Sequence, residues 1–233
     1  MKKPSDPDIR AALRFLRGLR AINNREWFAL HKEEYNAAME SRNALTETLI
    51  REIAAFDPAA ARLSVKDCTY RLYRDVRFSA DKSPYKTHIG IFINPPKGKK
   101  SILSGYYFHI EPDNSFVCAG TIGWNGKVLA AVRRAVYDNI DEYRGIVESP
   151  GFRKCFPLLG DSPVKTAPKG FTVKWEYIDY IRPRNFMAAS LQDDSLFKGD
   201  IAEIAQRMKP YIEQGKKFND FINYTVEDFE PDM

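Results

Sequence analysis

Between Arg71 and His88 the chain carries Arg71, Arg74, Arg77, Lys82 and Lys86 against only Asp75 and Asp81, a balance of +3 out of the protein's formal +5. Arginine's planar fork receives a phosphate or carboxylate through two parallel hydrogen bonds, whereas lysine supplies a mobile point charge. The cluster therefore points to an anion pocket in which Arg71, Arg74, Arg77, Lys82 and Lys86 hold a small phosphate, nucleotide or carboxylate ligand. Tyr85, with Tyr73 or Phe78, would supply its flat apolar wall. If such a pocket is catalytic, Asp75 or Asp81 is the residue type for a base, His88 for an acid or base, and the arginines for stabilising developing negative charge. No P-loop, GxGxxG or GxSxG pattern accompanies the cluster, so the residues name no reaction and no cofactor.

Two other readings start from the same residues. In one, the arginines, Asp75, Asp81 and Tyr85 are structural and knit a strand end to a loop and to the helix carrying Glu26 or Glu33, because ion-pair networks fix geometry without chemistry. In the other, the cluster joins Lys97, Lys99 and Lys100 as an RNA or single-stranded DNA surface, with cations on phosphates and exposed aromatics under bases. The lysine loop by itself reads more simply as a solubilising hairpin tip.

Histidine offers a second pattern. If the strands of Ile89, Ile91, Ile93 and of Tyr106, Phe108, Ile110 pair antiparallel with their apolar faces together, His88 and His109 fall side by side on the opposite face. Tyr107 and Glu111 share that face. His88, His109 and Glu111 have the donor types of a two-histidine, one-carboxylate metal site. Hydrogen-bonded or solvated side chains are the plainer reading, and no metal is expected.

These residues need elements to position them. Ile9, Leu13, Leu16 and Leu19 mark a first helix. Asn23 and Glu26 have capping-box spacing, so a second helix is predicted from near Arg25, through Phe28, Tyr35, Met39, Leu45, Leu49, Ile53 and Phe56, to the stop at Asp57-Pro58. From Tyr70 the period becomes two, which predicts strands at Tyr70–Tyr73 and Ile89–Ile93. On a strand, Arg71, Asp75 and Arg77 would share one face and Arg74 the other. Asn94 to Lys100 and Glu111 to Asn114 read as loop and turn, bounding strands at Gly105–Ile110 and Phe116–Ala119. Val128, Leu129, Val132, Val136 and Ile140 return to helical spacing. Ser149 to Arg184 reads as loop-rich, with Lys169-Gly170 either a lid over a ligand or, more simply, a tight turn, and two closing helices are predicted over Leu196–Met208 and Pro210–Tyr224.

The basic cluster also carries a resemblance. RxxRDxRFxxxKxPY is present in full as Arg71, Arg74, Asp75, Arg77, Phe78, Lys82, Pro84 and Tyr85. With Asn23 to Phe28, His31, Lys32, Tyr35, Pro168 to Phe171 and the Pro210 helix, it resembles the bacterial and fungal family catalogued as domain of unknown function 2461. The resemblance spans nearly the whole chain and implies no catalytic residue.

At 233 residues, 44% hydrophobic and 29% charged, the chain has the material for a core, which excludes wholesale disorder. The expectation is one α+β domain over residues 1–233, an antiparallel meander packed by N-terminal and C-terminal helices. MKKPSDPDIR lacks the apolar stretch of a signal peptide, and no apolar run is long enough to span a bilayer. Cys68, Cys118 and Cys155 form no CxxC and read as small buried hydrophobes. A cytoplasmic protein is expected, with an anionic small molecule or nucleic acid as partner and no membrane.

Overall fold

Ile9, Leu13, Phe15, Leu16 and Leu19 recur at helical spacing and are all buried, forming the inner face of α1 (Ile9–Ala21). Asp8 caps it by accepting from the Arg10 N–H. These coordinates are a computed structural model, which describes residues 7–229. After residues 22–24 come α2 (Arg25–Leu30) and α3 (Lys32–Ala54). The single long helix expected here is broken at His31. Asn24, one residue beyond the expected cap, accepts from the Trp27 N–H. α1 packs on α3. Gly18 lets Trp27 approach, since a Cβ there would lie 2.6 Å from its ring.

α4 (Val65–Cys68) is a single turn closed by Ser64 and Asp67. Then come β1 (Ile89–Ile93), β2 (Gly105–Ile110) and β3 (Ser115–Gly120), the predicted meander. The helix predicted through Ile140 is two, α5 (Gly126–Asp138) and α6 (Ile140–Val147). The loop-rich stretch contains α7 (Pro150–Cys155) and the short strand β4 (Leu158–Asp161), which the sequence reading missed. Lys169-Gly170 does lie in a tight turn, closed by the Phe171 N–H donating to the Pro168 carbonyl. β5 (Asn185–Gln192) pairs antiparallel with β4, with a register shift between Leu159 and Asp161. The sheet order is β1-β2-β3-β5-β4, an α+β architecture with helices toward both ends of the chain.

The two closing helices are one, α8 (Ile201–Val226), with Pro210 inside it. Proline removes one donor from the ladder but leaves the neighbouring turns able to continue it.

Contacts cluster into two units. The first comprises Met1–Lys99, Phe108–Phe116 and Leu191–Lys209, the second Lys100–Tyr107, Val117–Ser190 and Pro210–Met233. In the first, Arg17 bridges Asp113 and Asp194, and Arg20 donates to the Pro112 carbonyl and Asp113, which ties α1 to the β2–β3 turn. In the second, Val128, Val132 and Val136 join Tyr143, Phe152, Phe186, Phe218 and Ile222 in one apolar core. Asn219 and Asn223 reach the carbonyls of Gly105 and Ser104 there. No helix among the described residues is long and apolar enough to cross a membrane.

Candidate functional site

Residues 70–88 run from the α4 turn to β1 without forming a strand, which overturns the expectation at Tyr70–Tyr73. The segment is pinched instead by a single bridge, Tyr73 to Tyr85. Around it the Arg74 N–H donates to the Pro84 carbonyl (2.9 Å) and the Lys86 N–H to the Leu72 carbonyl (2.8 Å). Beyond the pinch, side chains serve the backbone that a ladder would otherwise serve. Asp75 accepts from the Arg77 N–H, and Asp81 accepts from the N–H and hydroxyl of Ser83. With the strand gone, the parity that set Arg74 opposite Arg71, Asp75 and Arg77 goes too.

The base of this excursion is anchored from the first helices. Asn23, freed from capping, pairs with the backbone of Tyr85 as a strand neighbour would: its amide donates to the Tyr85 carbonyl (2.9 Å) and its oxygen accepts from the Tyr85 N–H (3.2 Å). The Tyr85 ring is 4% exposed and stacks on Phe28 at 4.1 Å, with Tyr73 5.1 Å away. Packing consumes this ring, so it is no open wall.

An open pocket of about 490 Å³ lies beside that anchor. Arg20 and Asn23 enter it from the end of α1 and the following turn; Arg74, Asp75, Asp81 and Ser83 from the excursion; Tyr85, Lys86, Thr87 and His88 from the approach to β1. Of the six residues expected to bind a ligand, Arg74, Tyr85 and Lys86 line it, whereas Arg71, Arg77 and Lys82 do not. Arg77 points to solvent and forms a two-point pair with Asp75 (Nε–Oδ1 2.9 Å, Nη2–Oδ2 2.6 Å). Lys82 donates to the Val76 carbonyl, and Arg71 is exposed. The candidate acid and base residues Asp75, Asp81 and His88 are all in the lining.

Charge in the pocket is unevenly answered. Arg74 is held by Asp81 and Ser79, and Ser83 with Arg74 keeps the Asp81 carboxyl well below the usual carboxylate range. The Arg77 guanidinium also lowers the pKa of Asp75. Lys86 is half-buried and pairs with no carboxylate among the described residues; its ammonium sits 5.5 Å from the centre of the Tyr70 ring. Burial, and then the charge of Arg71, lower its pKa. At His88 burial dominates, His109 adds to it, and Lys86 and Arg74 push the same way, taking the imidazole down to about 4.

His88 and His109 do lie together, ring centres 4.4 Å apart. His109 is buried, stacked on Phe116 at 4.3 Å, with Nε2 3.3 Å from Glu111 Oε2. Burial lowers the His109 pKa against the opposing pull of Glu111. Burial alone would raise Glu111, but hydrogen bonds from Asn114, Thr87 and His109 outweigh it and hold the carboxyl ionised. One donor atom from each of His88, His109 and Glu111 lies within 4.8 Å of the other two.

Sequence reasoning missed Arg20 and Asn23. The usable signal was the pair Asn23-Asn24, where a single asparagine suffices to cap a helix. The lysine loop is packed rather than a free tip at Lys99, whose ammonium donates to the carbonyls of Lys66 and Thr69. All three cysteines are buried and unpaired, and burial pushes the Cys68 and Cys118 thiols up to about 12, away from the thiolate needed for nucleophilic work.

No curated protein and no solved structure matches the chain. A family model described as conserved hypothetical protein (DUF2461) matches residues 11–221. The chain belongs to the DUF2461 family.

Proposed function

We propose that the protein binds a small anionic metabolite, through a phosphate or carboxylate group, in the pocket between α1 and the approach to β1. The observation that carries this reading is Lys86, a half-buried cation on the pocket wall with no carboxylate partner among the described residues. Its neighbours compound the unanswered charge, since Arg71 disfavours its protonation and Lys86 with Arg74 disfavours that of His88. An anion placed between Lys86 and Arg74 relieves all of these at once. Asn23, Ser83 and Thr87 supply neutral polar groups for orientation. Three unpaired buried cysteines fit a reducing compartment, and we place the protein in the cytoplasm.

The test is a thermal-shift panel of inorganic phosphate, sugar phosphates, nucleotides and dicarboxylates against wild type, Lys86→Met and Arg74→Ala. A ligand at about a hundred times its Kd adds about 2.7 kcal/mol to apparent stability. Losing one charged hydrogen bond costs about 1.5 to 3 kcal/mol of binding, roughly ten- to a hundredfold in affinity. The expected outcome is a shift in wild type that Lys86→Met weakens. An equal shift in both proteins, or none across the panel, removes the reading.

A second reading has one observation in its favour. Phe78 is 98% exposed, with the Arg77 guanidinium 5.9 Å from its ring centre, an arrangement able to stack on an unpaired base. An RNA or single-stranded DNA ligand would then bind with steep salt dependence and lose affinity in Phe78→Ala, whereas a pocket anion would be indifferent to that change.

A further inference from the structure

We propose that His88, His109 and Glu111 form a binding site for one first-row divalent transition-metal ion of the Zn²⁺ class. The three donors come from the residue before β1, the body of β2 and the residue after β2, and they converge without any change of fold. His109 Nε2 and Glu111 Oε2 stand 3.3 Å apart. That matches the ligand–ligand edge of about 3.3 Å expected of a tetrahedral ion with bonds of about 2.0 to 2.1 Å. His88 completes the set, its donor atom within 4.8 Å of both.

Three features separate this trio from an ordinary histidine–carboxylate contact. The His88 side chain makes no hydrogen bond to any described residue, although its ring lies against His109. The other two members are already oriented as metal ligands are by their outer partners. Thr87 donates to Glu111 Oε1 (2.9 Å), Asn114 donates to Oε2 (2.7 Å), and Phe116 stacks on the His109 ring. Finally, His88 belongs to the lining of the 490 Å³ pocket, so an ion held here has a side open to a small molecule. Two nitrogens and one oxygen, with no thiolate among the three, favour Zn²⁺, Co²⁺ or Fe²⁺ over Ca²⁺ or Mg²⁺, which take all-oxygen sets, and over Cu⁺.

The inference does not depend on the anion reading, and the two can fail separately. The experiment uses the full chain stripped with chelator and titrated with Co²⁺, followed by visible d–d absorption and calorimetry, then displaced by Zn²⁺. The chain has three histidines, so His31 is an internal control; its ring stacks on Trp27 at 3.8 Å and is not one of the converging donors. Wild type and His31→Gln are expected to bind one Co²⁺ per chain, and His88→Gln, His109→Gln and Glu111→Gln to lose the absorption bands. Millimolar Mg²⁺ is expected to leave those bands unchanged. Because His109 is buried, each variant's melting curve is recorded in chelator. Should His109→Gln fail to fold, His88→Gln decides alone, since its side chain has no described hydrogen bond to lose. No Co²⁺ bound by wild type, or equal affinity in His88→Gln, overturns the site.

Discussion

The two ends of the excursion between Tyr70 and His88 share one motif but stand in different surroundings. At its base Tyr85 stacks on Phe28 beside Tyr73, is clamped by Asn23 at both backbone groups, and is followed by Lys86, Thr87 and His88 on the pocket wall. At its tip Arg77, Phe78 and Lys82 face solvent, and the only charged partner of Arg77 among the described residues is Asp75, two residues away. Burial is the difference. A cation beside the buried base is desolvated and its unanswered charge has consequences, whereas an exposed pair at the tip is screened and contributes little. A basic motif read only by its charge count treats both ends alike.

Breaking the base should therefore cost far more than breaking the tip. The largest loss is expected for Tyr85→Ala, which empties the stack on Phe28; about 3 to 5 kcal/mol, as for other buried aromatic-to-alanine changes, should appear in urea unfolding. A loss below about 1 kcal/mol would mean the aromatic anchor is not holding the excursion. Next comes Asn23→Ala, which strands the Tyr85 N–H and carbonyl in a partly buried setting and should cost about 1 to 3 kcal/mol. It sharpens the comparison against Asn24→Ala, a cap deletion worth about 1 kcal/mol. If Asn24→Ala proves the more damaging, the clamp is weaker than the cap. Smallest is Phe78→Ser at the tip, expected within about 0.5 kcal/mol of wild type in the same assay. A larger destabilisation would show that the tip is packed after all.

Helix α1, the β1–β2–β3 meander and the tight turns at Glu111–Asn114 and Pro168–Phe171 were all legible, because their apolar periods and turn residues are local properties of the chain. The pairing of His88 with His109 was legible as well, since strand parity carries through the pleat. The strand predicted at Tyr70–Tyr73 failed for a reason equally physical: four residues of alternation were outvoted by Asp75, Asp81 and Ser83, whose side chains satisfy the backbone in place of a ladder. β4, with exposed Leu158 and half-buried Leu159, has no alternating pattern to find. The continuity of α8 through Pro210 and the break at His31 likewise depend on what surrounds those residues.

By itself the sequence determined that a band of arginine and lysine exists, that it belongs to one family's motif, and that two histidines share a sheet face. It could not decide which cations are spent. That turned on where the partners fall in space: Asp81 reaching Arg74, Asp75 reaching Arg77, a backbone carbonyl reaching Lys82, and, among the described residues, no carboxylate reaching Lys86. Charge is a property of residue type, but its cost depends on burial and on partners many residues away, and only the tertiary structure brings those together.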